Sequence, residues 1–195
     1  MSVRDRLVRA EDSLLAVIDV QPEFLAKLPR GEADAVVGRI RWLVGVAVLL
    51  GVPVLVTEEE PERNGALADR IAERLPTGVR RHVKPIFDLT ACPDIIADVH
   101  AADRNTIVLV GLETDVCVAQ SALGLLALGH GVAVVADATA SPGTAHDFGL
   151  QRMRDAGVAV LGTKNLYYEW VPTVAEAIAL DERVVALGVP EGVIL

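Results

Sequence analysis

Aromatic side chains are scarce in this sequence. Three Phe, two Trp and two Tyr make up 4% of its 195 residues. The core must therefore be aliphatic, drawn from Val, Leu, Ile and Ala. Cysteine is scarcer still. Cys92 and Cys117 alone do not make a disulfide-dense secreted scaffold. Basic residues are outnumbered, 18 against 27 acidic ones, for a formal charge of -9. A non-specific nucleic-acid binder depends on cationic contacts with phosphate, so no nucleic-acid partner is expected. No apolar run is long and uninterrupted enough to span a bilayer, so no membrane partner is expected either. The opening MSVRDRLVRAEDS is mixed in charge and unlike a signal peptide, which leads to the expectation of a cytoplasmic protein.

Several chemical signatures are missing too. There is no G-x-x-x-x-G-K-[ST] loop, no G-x-G-x-x-G after the first strand, no G-x-S-x-G and no C-x-x-C. The histidines His82, His100, His130 and His146 show no close metal-ligand spacing.

What is present is a hydrophobic fraction of 52%, arranged in short apolar runs that alternate with longer amphipathic ones. Residues 13–20, 51–58, 79–85, 105–111, 131–137 and 157–162 read as strands. Helical spacing is predicted over 32–50, 65–75, 92–102, 115–128, 143–156 and 172–180. Gly51 and Gly129 are placed to stop two of these helices. Val-rich strands without polar alternation point to a parallel sheet covered on both faces. The expected fold is a three-layer α/β/α sandwich on a mostly parallel six-stranded sheet. A single domain is expected over 1–195, with a short extension from about residue 181 that adds a strand or covers another subunit.

In such sheets ligands bind beyond the carboxyl ends of the strands. Asp19, Thr57, Lys84, Gly111 and Asp137 fall near those ends. Asp19 follows an apolar run in AVIDVQPEF, which suits a catalytic carboxylate better than a loop cap. Lys84 would by itself be read as a solvated strand end. Beside Asp19 it becomes a cation that holds a carboxylate ionised and pushes a nearby thiol toward thiolate. Cys117 lies in the first turn of the helix after the fourth strand, where free N–H groups favour a thiolate or hold an oxyanion. The aspartate opposes that thiolate by like charge, so a coupled titration is expected. Cys92 precedes a short helix too, but no strand delivers it to the same edge.

The ordered pieces AVIDVQPEF, HVKPIFD and VLVGLETDVCV, followed by DATAS, His146 and Met153, resemble the isochorismatase-like cysteine hydrolases over about residues 13–180. The resemblance implies the same sandwich fold and a catalytic triad of Asp19, Lys84 and Cys117. It also implies a non-proline cis peptide joining Leu112 to Glu113, with the N–H groups of Glu113 and Cys117 forming the oxyanion hole. Asp19 would then shuttle the proton, Lys84 act electrostatically and Cys117 attack a carbonyl carbon to form a thioester.

Departures from the family narrow the expectation. Nicotinamidases of this family carry an Asp-x-His pair after the second strand, whereas VTEEEPERNGALAD has no histidine. Glu58, Glu59 and Glu60 read as a solvated acidic loop in preference to a cation site. No metal and no cofactor are therefore expected. The implied activity is cleavage of a C–N bond in a small amide, carbamoyl or ureido compound. The alternatives are a catalytically weak member acting in binding or assembly, and a metal-dependent nicotinamidase-like amidase. Gln21, Phe24, Phe87 and His146 are candidate pocket residues, and Trp170 either lines the pocket or packs the domain. Thr114 and Asp115 are read as helix caps. The high apolar fraction and the tail VVALGVPEGVIL suggest a homo-oligomer.

Overall fold

The computed structural model describes residues 7–195. Six strands form one sheet in the order β3-β2-β1-β4-β5-β6, and every neighbouring pair is parallel. They are β1 Ser13–Ile18, β2 Val54–Glu59, β3 Arg81–Lys84, β4 Thr106–Leu112, β5 Gly131–Ala140 and β6 Ala159–Leu161. The helices are α1 Pro22–Leu25, α2 Arg30–Leu50, α3 Pro61–Asn64, α4 Asp69–Ala72, α5 Pro93–Ala101, α6 Ala119–Ala127, α7 Ala145–Asp155, α8 Thr163–Trp170 and α9 Val174–Ala186. Among the described residues no helix is long and apolar enough to cross a membrane.

The three layers follow from alternation along the strands. In β1, Leu15 and Val17 face one apolar cluster, which holds Ile40, Leu43 and Val44 of α2 and Leu166 and Trp170 of α8. Leu14, Ala16 and Ile18 face the other, with Ile95 and Val99 of α5, Ala122 and Leu125 of α6, and Leu150 of α7. Every residue of β1 is buried, as expected of a strand covered on both sides.

The parallel sheet, the helix ending at the left-handed Gly51 and most element positions match the sequence reading. Four details differ. Strand β1 stops at Ile18, because Asp19 turns into the left-handed region with φ 48°. The helix expected over 65–75 shortens to a single turn, α4, while a separate turn, α3, ends just before Gly65 at φ 80°. Helix α8 was not anticipated. Its start at Gly162 is closed by Asn165, whose side chain accepts from the Gly162 N–H at 3.3 Å. The tail beyond residue 181 forms no strand. It completes α9, and Leu187 packs on the main core while Arg74 donates to its carbonyl at 3.4 Å.

One glycine fixes the centre of the sheet. Gly111 pairs with Ile18, and a Cβ there would lie 2.0 Å from the Ile18 carbonyl oxygen. Only a residue without a side chain lets the ends of β1 and β4 come this close, and its φ of 124° is one that glycine tolerates.

Candidate functional site

The centre of the sheet is also its switch point. From β1 the chain winds outward through β2 and β3, then crosses back to β4 and continues through β5 and β6 on the other side. The carboxyl ends of the strands around this point form the crevice where α/β proteins bind ligands. Asp19 immediately follows β1, Lys84 ends β3, and Cys117 lies in a five-residue π-helical turn, Thr114–Val118, between β4 and α6.

These three side chains converge. Lys84 Nζ lies 2.6 Å from Asp19 Oδ2, and both side chains are 0% exposed. On β3 the exposed and buried residues alternate, which sends His82 and Lys84 inward. The solvated strand end that Lys84 would have made in isolation is thus overturned. Thr57 Oγ1 donates to Asp19 Oδ1 at 2.8 Å. Asp19 Oδ2 is enclosed and, among the described residues, faces the Lys84 ammonium. Lys84 Nζ also donates to the Ile86 carbonyl at 3.1 Å.

Sequence reasoning missed Glu59. Cys117 Sγ donates to Glu59 Oε2 at 3.2 Å, and that oxygen lies 4.0 Å from Lys84 Nζ. Asp19, Glu59 and Cys117 present ligand atoms within 4.8 Å of one another. Alternation on β2 could have revealed it, since residues 57 and 59 share a face and both end at the crevice. The solvated acidic loop is a correction. Glu58 is buried, accepting from the Leu67 N–H at 2.7 Å and facing Arg81 at 3.8 Å. Glu59 is 14% exposed, and only Glu60 points largely to solvent. As a metal centre the Asp19, Glu59 and Cys117 group is compromised by the Lys84 ammonium, which repels a second cation from both carboxylates.

Burial governs the charge states here. It raises the Asp19 carboxyl above its ordinary range, although Lys84 and Thr57 pull the other way. It works against the Lys84 ammonium too, but Asp19, Cys117 and Glu59 together outweigh it, and Lys84 is held above its ordinary value. The Cys117 thiol is pushed far up, first by burial and then by the Asp19 charge, with Lys84 only partly offsetting. This reverses the expectation of a favoured thiolate. At rest the site holds a neutral thiol beside a buried ion pair.

A cavity of about 540 Å³ opens above Cys117, lined in part by Phe24, Glu59, Phe87, Glu113 and Cys117. Phe24 and Phe87 lie on its wall. Gln21 does not. It is buried and braces the end of β2, donating to the Glu59 carbonyl at 3.0 Å and accepting from the Glu59 N–H at 2.7 Å. His146 also stands outside the cavity wall, with Nδ1 2.9 Å from Thr114 Oγ1. Trp170 packs the domain, donating to Ser13 Oγ at 3.1 Å.

The peptide joining Leu112 to Glu113 is cis, at the position the sequence resemblance implied. The π turn that follows is anchored from behind. Thr114 bonds His146, and Ser141 Oγ donates to Asp115 Oδ1 at 2.6 Å, so neither Thr114 nor Asp115 caps the helix as expected. Gly149 of α7 packs on this turn so closely that a Cβ would lie 2.7 Å from Asp115 Cα. Cys92 stands at the residue before α5, makes no capping bond with its side chain, and is buried and free like Cys117.

Comparison with known proteins matches residues 13–165 to the isochorismatase domain. The chain is 30% identical over 167 residues to the secreted isochorismatase effector Isc1 of Phytophthora sojae, covering 80% of this chain and 76% of that protein. The MAR1 ribonuclease structure from Caenorhabditis elegans superposes with a TM-score of 0.83 at 25% identity, covering 97% of this chain and 98% of that one. YcaC of Escherichia coli, described as an octameric hydrolase of unknown specificity, superposes with a TM-score of 0.87 at 21% identity, covering 94% and 91%.

Proposed function

From the premise that this chain belongs to the isochorismatase family, we propose that it is a cysteine-dependent hydrolase cleaving a C–N bond of a small amide-type substrate. The observation that carries the reading is the meeting of Asp19, Lys84 and Cys117 from three separate chain segments at one sheet edge, with Cys117 opening into the cavity and Asp19 and Lys84 buried behind it.

In this reading Asp19 accepts the proton of Cys117 as the sulfur attacks the carbonyl carbon. Its raised affinity for protons suits that task. Lys84 stays an ammonium throughout and balances the negative charge as it moves from carboxylate to sulfur. The N–H groups of Glu113 and Cys117 receive the oxyanion. Asp19 returns the proton to the departing nitrogen as the C–N bond breaks, leaving a thioester on Cys117. Asp19 then takes a proton from water, the resulting hydroxide attacks the thioester, and the acid leaves as the thiol regains its proton.

A cytoplasmic location and a single catalytic domain with homo-oligomeric assembly belong to the same proposal. Two free cysteines suit a reducing compartment. The test is a panel of small primary amides and carbamoyl compounds, assayed for ammonia or amine release with the wild type and Cys117→Ala, with intact-protein mass measured during turnover. Release by the wild type, none by the variant, and a mass increment equal to the acyl group are expected. Release retained by Cys117→Ala overturns the covalent mechanism.

A further inference from the structure

The charges around the cavity do not cancel, and this bears on which substrate enters. Two acidic side chains, Asp19 and Glu59, lie around one ammonium, Lys84, so acids outnumber cations beside Cys117.

The walls add to it. Glu23, Glu59, Glu60 and Glu113 face Lys27 and Arg63. Both cations are already engaged, Lys27 with Glu113 at 2.9 Å and Arg63 with Glu60 at 3.6 Å. Glu23 has no cationic partner within 4.0 Å among the described residues. Glu59 uses Oε2 for Cys117, whereas its Oε1 takes no hydrogen bond from the described residues. One carboxylate oxygen beside the nucleophile is thus left for a donor from the substrate. An incoming carboxylate would meet uncompensated negative charge and no free cation. An incoming ammonium or guanidinium would neutralise the excess.

We propose that the cavity selects a small amide that carries a cationic group, with Glu59 the specificity residue that receives the cation, and that it rejects carboxylate-bearing amides and ureido acids. This deepens the hydrolase reading and rests on it for the word amide. The charge selection can be measured without turnover.

The test uses three methanethiosulfonates on the full-length protein, one cationic (trimethylammonioethyl), one anionic (sulfonatoethyl) and one neutral (methyl). Rates at Cys117 are read by peptide mass mapping and divided by the rates for free cysteine. All three reagents meet the same resting thiol, so its resting acidity cancels and the ratio reads the effect of reagent charge alone. The expected cationic-to-anionic ratio is about tenfold or more, the lower end for a cleft lined by one sign of charge. Glu59→Gln should reduce it several-fold. A ratio near one, or one unchanged in Glu59→Gln, overturns the proposal even if amides are hydrolysed. A high ratio that falls in Glu59→Gln supports it even if every amide in the panel fails, in which case the hydrolase reading falls alone. Should the thiol resist all three reagents, ligand-observed NMR on Cys117→Ala with glycinamide, propionamide and malonamate decides. Glycinamide is expected to bind most tightly, and malonamate binding as well as glycinamide overturns the selection.

Discussion

Replacing Lys84 by methionine keeps most of the length of the side chain and removes its charge. The structure then forces a choice on Asp19. Its partner at 2.6 Å is gone, both positions are sealed from solvent, and Thr57 alone remains to hold the carboxylate. Removing one partner of a buried ion pair costs about 3–5 kcal/mol when the other stays charged. Asp19 can escape by taking a proton. With an unfolded carboxyl pKa near 3.9, holding that proton at pH 7 costs about 4 kcal/mol, at 1.36 kcal/mol per unit. The two routes are comparable, so a loss of about 4 kcal/mol is expected at pH 7.

The proton route gives the prediction its sign. In the variant the folded state binds a proton that the unfolded state has released. Stability relative to wild type therefore falls as pH rises above the unfolded pKa, and recovers as pH drops toward it. Urea unfolding of wild type and Lys84→Met at pH 7, 6 and 5 should show the deficit shrinking as pH falls, by at most about 1.4 kcal/mol per unit, because the raised Asp19 carboxyl of the wild type shares part of the same slope. Adding Asp19→Asn should restore most of the loss at pH 7. A deficit independent of pH and not relieved by Asp19→Asn would refute the coupling of these two groups and place the cost in packing alone.

Further outcomes follow from the same geometry. Cys117→Ala should be more resistant than wild type to alkaline unfolding: above the ordinary thiol value of 9.0 the unfolded chain releases a proton that folded Cys117 keeps, so wild-type stability falls with a slope up to about 1.4 kcal/mol per pH unit steeper, read by thermal unfolding between pH 8 and 10.5. Gly111→Ala should lower stability by roughly 2–4 kcal/mol, measured by urea titration, because its Cβ overlaps the Ile18 carbonyl at a positive φ. Gly149→Ala should lower amide turnover more than its stability loss explains, since α7 then pushes the turn that carries Cys117. Sedimentation at micromolar concentration should show an assembly, with exposed Val174, Ile178 and Val185 of α9 among the covered residues; a single species near 20.7 kDa would oppose it.

The parallel sandwich was legible because the central strands β1, β2 and β4 are buried along most of their length, which leaves nearly unbroken apolar runs in the sequence. Asp19 stood out at the end of such a run, whereas Lys84 and Cys117 gained their reading from strand-end and helix-start positions together with the ordered motifs. Helix α8 was not legible, since TKNLYYEW mixes polar and aromatic residues and its start depends on an Asn side chain closing onto Gly162. Glu59 was hidden among three consecutive glutamates whose fates differ by strand geometry. Glu58 turns into the opposite face, Glu59 meets the thiol, and Glu60 leaves the strand. Composition alone treats all three as a solvated run. Gln21 and His146 lay near the right motifs but behind the site, where they hold the β2 end and the π turn.

Burial also explains why the thiol reading changed sign. In the sequence, a cysteine at a helix start beside a lysine suggests a standing thiolate. In the fold, the same lysine is already committed to Asp19 at 2.6 Å, and Glu59 brings a second carboxylate to the sulfur. A lone cation shared by two acids cannot also hold a third anion against desolvation, so Cys117 keeps its proton. An enzyme with a standing thiolate would react with any electrophile that reached it. On the proposed mechanism the nucleophile forms only when Asp19 takes the proton, and a substrate whose positive charge offsets Glu59 would ease that transfer. Substrate charge and thiol activation are therefore coupled through one residue. Glu59→Gln should accordingly raise thiol reactivity toward the neutral methanethiosulfonate while lowering the preference for the cationic one. Both changes in the same variant would be hard to obtain from a residue that merely fills space, and loss of reactivity toward the neutral reagent in a folded Glu59→Gln protein would contradict the coupling.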